Sequence, residues 1–141
     1  MAMSTRLDDV TLLTLYSVKD AQRGTLCVAE YGKHIPFDMK RIFYLYDMPV
    51  NTVRGQHAHR QQDQFLICLT GSVELSTERK HCQQTFTLSH PHEGVYFPPM
   101  TWVGIKVLEP STMCLVVSSG AYDEDDYIRN HEAFESLLRN S

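Results

Sequence analysis

The stretch Arg54-Gly55-Gln56-His57-Ala58-His59, followed by Gln64-Phe65-Leu66-Ile67-Cys68-Leu69-Thr70-Gly71, decides the reading of this chain. On an extended strand residues i and i+2 point to one face, so His57 and His59 project together. The second run shows no polar alternation between Phe65 and Leu69. It therefore reads as a strand buried on both faces. A strand paired with it does not lie at a fully wet edge. Two imidazoles on one face can ligate a metal, do acid–base work or decorate a polar surface, and this neighbourhood argues against the third.

Working outward, the chain is a series of short β-rich runs separated by turn residues. Val10 to Val18 is strand-like, Asp20 to Gly24 is a turn, and Leu26 to Glu30 is a second run. Arg41 to Asp47 is dense in aromatic and β-branched residues. Gln64 to Thr70, Gly71 and Val73 to Ser76 read as a hairpin. Thr85 to Leu88, Val95 to Phe97, Trp102 to Leu108 and Met113 to Ser118 complete the set. Strands over about 10–120 without intervening helices predict a sandwich or barrel rather than a βαβ sheet. Tyr127, Ile128, His131, Phe134 and Leu138 then fall at helical spacing. Asp123 to Asp126 sit where negative charge favours a helix start, so the spacing predicts a helix over about 124–138.

At 141 residues the chain is one domain, 1–141, large enough for a hydrophobic core. Thirteen Lys and Arg against 17 Asp and Glu exclude a global basic field for nucleic acid, while leaving room for a few local cations that bind an anionic small molecule. No run approaches the roughly 20 apolar residues of a membrane span. Met1 to Asp9 has no apolar core of a signal peptide, so a cytoplasmic location is expected. Cys27, Cys68, Cys82 and Cys114 form no C-x-x-C pair and read as core thiols.

Gly55, His57, His59, Gln64 and Gly71, which lies twelve residues after His59, match the frame of the first cupin motif. Gly94, Pro98 and Pro99 resemble the second. The expected fold is therefore all-β: a cupin, a double-sheet jelly-roll barrel, with a C-terminal α-helix. The metal ligands of that motif are incomplete. Gln64 stands where a metal-binding Glu is usual, and Trp102 lies where the second motif supplies a third His. An amide is a poor substitute for a carboxylate, an indole cannot ligate, and two histidines alone rarely hold a catalytic metal. His90 and His92 flank Pro91 in a loop and read as solvated. The expectation is no metal and no cofactor, with the histidines doing acid–base work.

Four blocks, IPFDMKRIFYLYDMP (35–49), RGQHAHRQQDQFLICLTGSV (54–73), GVYFPPMTW (94–102) and YDEDDYIRNHEAF (122–134), resemble the sugar 3,4-ketoisomerases, cupins that act on dTDP-4-keto-6-deoxyglucose. The resemblance implies a metal-free enzyme that moves the ketone of the nucleotide-linked sugar from C4 to C3, ahead of an aminotransferase in 3-amino-3,6-dideoxysugar biosynthesis. It implies a homodimer, and the Val10 to Val18 run, a candidate edge strand, is where N-terminal strands could exchange. It places the catalytic pair at His57 and His59 and the nucleotide-sugar contacts at Arg41 and Arg54, and it matches Trp102 to a tryptophan of the second motif. Arg23 before Gly24 resembles the branch that makes the galacto product. The chain departs from the family at Phe43, where two successive tyrosines are usual, at Val103, and at His131.

The chemistry suits these residues. The C3 hydrogen lies α to the C4 ketone, so a base can remove it to give an enediol that is reprotonated at C4. This needs groups titrating near the working pH and donors for the developing oxyanion. His57 is the expected base, His59 its partner, and Tyr44 and Gln64 are further candidate donors. Arg41 and Arg54 suit a diphosphate, because guanidinium binds phosphate oxygens bidentately. The competing readings are a cupin that binds a nucleotide sugar without turnover, a metal-dependent cupin enzyme, and a 3,5-epimerase.

Overall fold

A computed structural model describes residues 7–141. The strands run in chain order as β1 (Thr11–Thr14), β2 (Tyr16–Asp20), β3 (Gly24–Val28), β4 (Arg41–Leu45), β5 (Val53–His59), β6 (Gln64–Thr70), β7 (Val73–Arg79), β8 (Cys82–Leu88), β9 (Glu93–Phe97), β10 (Trp102–Val107), β11 (Met113–Ser118) and β12 (Tyr127–Ile128). A single α-helix, α1 (His131–Arg139), closes the described chain. One sheet has the order β1-β9-β6-β11-β4 and the other β12-β5-β10-β7-β8, with β2 and β3 forming a separate hairpin. The two five-stranded sheets are the layers of a cupin-like jelly roll. They do not close on each other, and β1, β4, β12 and β8 remain as edges.

The core lies between the layers. Leu66, Cys68, Val95, Phe97, Cys114 and Val116 from the first sheet meet Val73, Leu75, Leu88, Val103 and Ile105 from the second. Alternation puts Phe65 and Ile67 on the opposite face of β6, where they pack with Leu15, Ile35, Phe37 and Tyr96. The apolar run from Phe65 to Cys68 is therefore buried on both faces, as its composition predicts. A third cluster sits outside the second sheet, where Ala58, Ile128 and Phe134 pack with Met100, Trp102, Leu137 and Leu138 beneath α1.

Several boundaries differ from expectation. Val10 to Val18 is not one strand: β1 pairs with β9, a pairing the Leu15 N–H extends by donating to the His92 carbonyl (2.7 Å), and β2 then turns away to pair with β3. Gln64 to Ser76 is not a hairpin. Gly71, with φ +79°, passes the chain from β6 in the first sheet to β7 in the second, and a Cβ there would collide with Thr112. The hairpin in this region is β7–β8. The C-terminal helix starts at His131 rather than 124. Asp123 caps only a 3₁₀ turn, Glu124–Asp126, after which Tyr127 and Ile128 are drawn into the second sheet beside β5. Asn130 then caps α1 by accepting from the Ala133 N–H (3.0 Å). Of the four cysteines only Cys68 and Cys114 are core residues, while Cys27 is half-buried and Cys82 exposed. Among the described residues no helix is long and apolar enough to cross a membrane.

Candidate active site

The direction of the histidine pair is set by a β-bulge. Arg54 pairs with Ile105 and Gly55 with Gly104, but the next partner of β10, Val103, pairs with His57, so Gln56 is left over. Ile105 and Val103 face the core, and Arg54 and His57 face it with them. A regular strand that turned Arg54 inward would turn Gln56 and Ala58 inward and both histidines out. The extra residue shifts the phase, sending Ala58 under α1 and the histidines to the inner side. The bulge requires positive φ at Gly55 (+81°) and at Gln56 (+61°). A Cβ at Gly55 would lie 2.8 Å from the Val103 carbonyl oxygen, so only glycine fits.

Both imidazoles are tied through Nδ1. That of His57 lies 3.1 Å from the Gly55 carbonyl oxygen, and that of His59 lies 2.8 Å from Asp126 Oδ2. A carbonyl and a carboxylate only accept, so in the neutral rings Nδ1 carries the hydrogen and Nε2 carries the lone pair. The ring centroids are 5.2 Å apart and edge-on. Tyr127 packs against both, at 5.0 and 4.4 Å, and the Arg129 guanidinium lies over the Tyr127 ring while bonding Glu124 twice. Burial and the neighbouring His59 push the His57 pKa down to about 4, the Gly55 carbonyl opposing them. Burial also lowers His59, against the pull of Asp126. Both rings are thus neutral bases at neutral pH. The His59 Nε2 is buried and has no hydrogen-bond partner.

Beside His57 a cavity of about 60 Å³ opens between the sheets, lined by Phe43, Leu66, Phe97, Val103 and Val116 among others. Gln64, at the start of β6, lines it and is 3% exposed, and its Nε2 is a second buried polar atom without a partner. A buried unpaired amide costs about 1–3 kcal/mol, and the two orphans leave a donor at Gln64 and an acceptor at His59 without partners. Arg54 lines the same cavity. Arg41 stands at the same end of the fold: its guanidinium donates to the Gly120 carbonyl (3.2 Å) and Gln62 Oε1 (3.0 Å), and its charge depresses His59.

The structure brings His57, His59, Gln64, Arg54 and Arg41 together. It does not bring Tyr44, Trp102 or Arg23 to them. Tyr44 alternates with Phe43 and Leu45 on β4; those two pack into the core, so Tyr44 points out, 60% exposed and stacked on Tyr46. Trp102 lies one residue out of phase with Val103, and its ring packs on His131 and Phe134 under α1. Arg23 is exposed at the β2–β3 turn, where it pairs with Asp20 (2.9 Å). In place of Tyr44 and Trp102 the cavity receives Phe43 and Val103. The sequence reading also missed Asp126 and Tyr127. The acidic run was visible, but nothing in it separated a helix start from a histidine partner. Among the described residues the one group of three His, Cys, Asp or Glu side chains that converge closely enough for a metal is Glu78, His131 and Glu135, at α1 rather than at His57 and His59.

A family model described as "FdtA: WxcM-like, C-terminal" matches residues 8–139. The chain belongs to this family. Among curated proteins, the FdtA-like chain is 35% identical over 116 residues to the TDP-4-oxo-6-deoxy-alpha-D-glucose-3,4-oxoisomerase of Aneurinibacillus thermoaerophilus, covering 82% of this chain and 84% of that one. Among solved structures it resembles QdtA, a sugar 3,4-ketoisomerase from Thermoanaerobacterium thermosaccharolyticum in complex with TDP, with a TM-score of 0.88, 32% identity, and 96% and 98% of the two chains covered. It also resembles the WlaRB TDP-quinovose 3,4-ketoisomerase of Campylobacter jejuni, with a TM-score of 0.85, 33% identity, and 95% and 100% covered.

Proposed function

We propose that this FdtA-like protein is a sugar-nucleotide 3,4-ketoisomerase that moves the keto group of dTDP-4-keto-6-deoxyglucose from C4 to C3, in deoxysugar biosynthesis. The observation that carries the reading is the pair of neutral imidazoles, each with Nδ1–H tied back and Nε2 bearing its lone pair, beside an unpaired buried amide. A binder without turnover has no use for two bases on one face.

The residues account for each transfer. His57 Nε2 removes the C3 hydrogen, and the electron pair moves into a C3–C4 double bond, leaving an enediolate with its charge on O4. His59 Nε2 accepts the O3 proton and returns it to O4, which moves the charge to O3. The His57 imidazolium then protonates C4, and the C3 ketone forms. The Gln64 amide donates to the enediolate, and a donor already fixed in place needs no reorganisation as charge develops. Arg41 and Arg54 face the diphosphate. The step needs no external oxidant or reductant, since one carbon is oxidised as its neighbour is reduced.

The protein acts in the cytoplasm as a homodimer. The outward face of β4 supports the dimer: Ile42 (61% exposed), Tyr44 and Tyr46 form an apolar strip uncovered within one chain, near the length of a strand. An open β1 edge is the place where N-terminal strands would exchange. The test is NMR of dTDP-4-keto-6-deoxyglucose incubated with the protein: a new C3 carbonyl and a new C4 proton signal support the reading, and an unchanged spectrum with bound substrate refutes it.

A further inference from the structure

Each imidazole is tethered at Nδ1 by one hydrogen bond, and one hydrogen bond does not fix a ring. It tolerates about 30° of bending, which over the roughly 2 Å between Nδ1 and Nε2 moves Nε2 by about 1 Å. The two tethers also come from different parts of the chain, so neither aligns one ring with the other. The side chain that touches both is Tyr127. In the β5–β12 ladder it stands directly opposite His59, with Ile128 opposite Ala58, so His57 is its diagonal neighbour on the same face. An aromatic ring reaches a diagonal neighbour.

That ring is itself clamped. The Arg129 guanidinium lies 4.1 Å from its centroid. Glu124 holds the guanidinium by two bonds, at 2.7 and 2.9 Å, and accepts from the Tyr122 hydroxyl at 2.6 Å. The Tyr122 ring completes the clamp, 5.7 Å from Tyr127. Among the described residues every side-chain contact of Tyr127 is made by its ring.

We propose that Tyr127 is a positioning residue, whose ring, held by Arg129, Glu124 and Tyr122, keeps His57 and His59 aligned so that the enediolate goes forward rather than back. The proposal rests on the ketoisomerase reading above. Once His57 has taken the C3 hydrogen, the enediolate has two fates. With His59 in line, the O3 proton moves to O4 and the His57 imidazolium protonates C4. With His59 out of line, the charge stays on O4, the imidazolium returns a proton to C3, and substrate is regenerated. In D2O that returned substrate carries deuterium at C3, because the imidazolium exchanges with water.

The experiment follows TDP-4-keto-6-deoxyglucose in D2O by NMR at about pH 8, above the ordinary imidazole range, and compares deuterium entry at substrate C3 with isomerisation. A misplacement of about 1 Å costs about 10²-fold, so Tyr127→Leu is expected to lose about 10²-fold in isomerisation with TDP affinity unchanged. C3 exchange should fall much less, raising the ratio of exchange to isomerisation at least about tenfold. Tyr127→Phe keeps the ring and should hold both rates within about threefold of wild type. Arg129→Ala, a surface change that loosens the clamp, should raise the ratio about threefold. A merely structural role lowers both rates together, so an unchanged ratio in folded Tyr127→Leu overturns the proposal. Should that variant not fold, an unchanged ratio in Arg129→Ala overturns it instead. A Tyr127→Phe protein as impaired as Tyr127→Leu moves the role to the hydroxyl and also overturns it. A wild-type protein that binds the sugar and shows neither exchange nor isomerisation overturns the ketoisomerase reading, and the proposal with it.

Discussion

Asp126→Asn isolates the role of the His59 tautomer. Asp126 is 6% exposed, and its two oxygens have fixed partners: Oδ1 accepts from the Gln61 N–H at 2.7 Å and Oδ2 from His59 Nδ1 at 2.8 Å. Asparagine has the same shape but only one acceptor. The Gln61 donor is backbone and cannot move, so the amide oxygen goes there and the NH2 group faces His59. Two donors cannot face each other, so the His59 proton moves from Nδ1 to Nε2. The nitrogen that should receive the O3 proton then carries a hydrogen of its own.

The two consequences differ in size. A charge-assisted hydrogen bond, worth about 1.5–3 kcal/mol, is replaced by a neutral one worth about 1, so stability should fall by only about 1 kcal/mol. A positioned proton-transfer group is worth about 10²–10⁴-fold in rate. The same Asp-to-Asn exchange in the serine-protease triad costs about 10⁴-fold through the wrong tautomer. For Asp126→Asn we expect kcat to fall at least ~10²-fold with TDP affinity unchanged and a small shift in melting temperature. Nitrogen-15 NMR of the imidazoles should show the His59 proton on Nδ1 in the wild type and on Nε2 in the variant. A folded Asp126→Asn protein whose kcat stays within about threefold of wild type would refute the relay through His59.

His57→Asn should keep the fold and bind the dTDP-sugar, yet lose turnover by ~10²-fold or more, and wild-type product formed in D2O should carry deuterium at C4; normal binding with a wild-type rate would remove His57 as the base. The His57 pKa, pushed down to about 4, places the acid limb of kcat/KM below the ordinary imidazole value of 6.5, and a limb at 6.5 in the free enzyme would contradict that burial. The same depression has a stability consequence: between pH 6.5 and about 4 the unfolded chain binds a proton that the folded site refuses, so stability declines as pH falls through that window and His57→Asn should flatten the decline, as urea titrations at several pH values would show. Activity should survive exhaustive EDTA, and loss restored by a divalent ion would sink the metal-free mechanism. Light scattering at micromolar concentration should report a dimer that Ile42→Asp disperses, and a monomeric wild type would rule that interface out.

The β-strands were readable because their apolar runs are short and their turns carry Gly, Asp and Pro. Connectivity was less readable. Gly71 signals a sharp turn in any context, and only packing shows whether the next strand stays in the sheet or crosses to the other. The helix boundary failed for a related reason. Glu124 to Asp126 have the charge of a first turn, but Ile128 and Ala58 gain more by packing together under Phe134 than they would on an exposed helical turn. That packing draws Tyr127 beside His59 and delivers Asp126 to its Nδ1. The site residues followed the same rule. His57, His59 and Gln64 were visible because their spacing is local. Tyr44 and Trp102 lie one residue out of phase with the cavity-lining Phe43 and Val103, because strand phase decides whether a side chain enters the core and composition does not record it.

That phase is where fold and chemistry join. An H-x-H pair on a strand guarantees a shared face but leaves open which face it is. The leftover Gln56 settles the matter, and it can be left over only because Gly55 accepts φ +81° with its α-carbon pressed towards the Val103 carbonyl. The bend also turns the Gly55 carbonyl to within 3.1 Å of His57 Nδ1, so one backbone irregularity both directs the base inward and fixes its tautomer. On the other side of the same strand, Ala58 is small enough to let Ile128 and Phe134 close over it, and their closure carries Asp126 to the second imidazole. The two histidines are therefore oriented by different parts of the chain, one by its own strand and one by the C-terminal segment. Damage to the packing under α1 should accordingly disturb the His59 relay before it disturbs the His57 base.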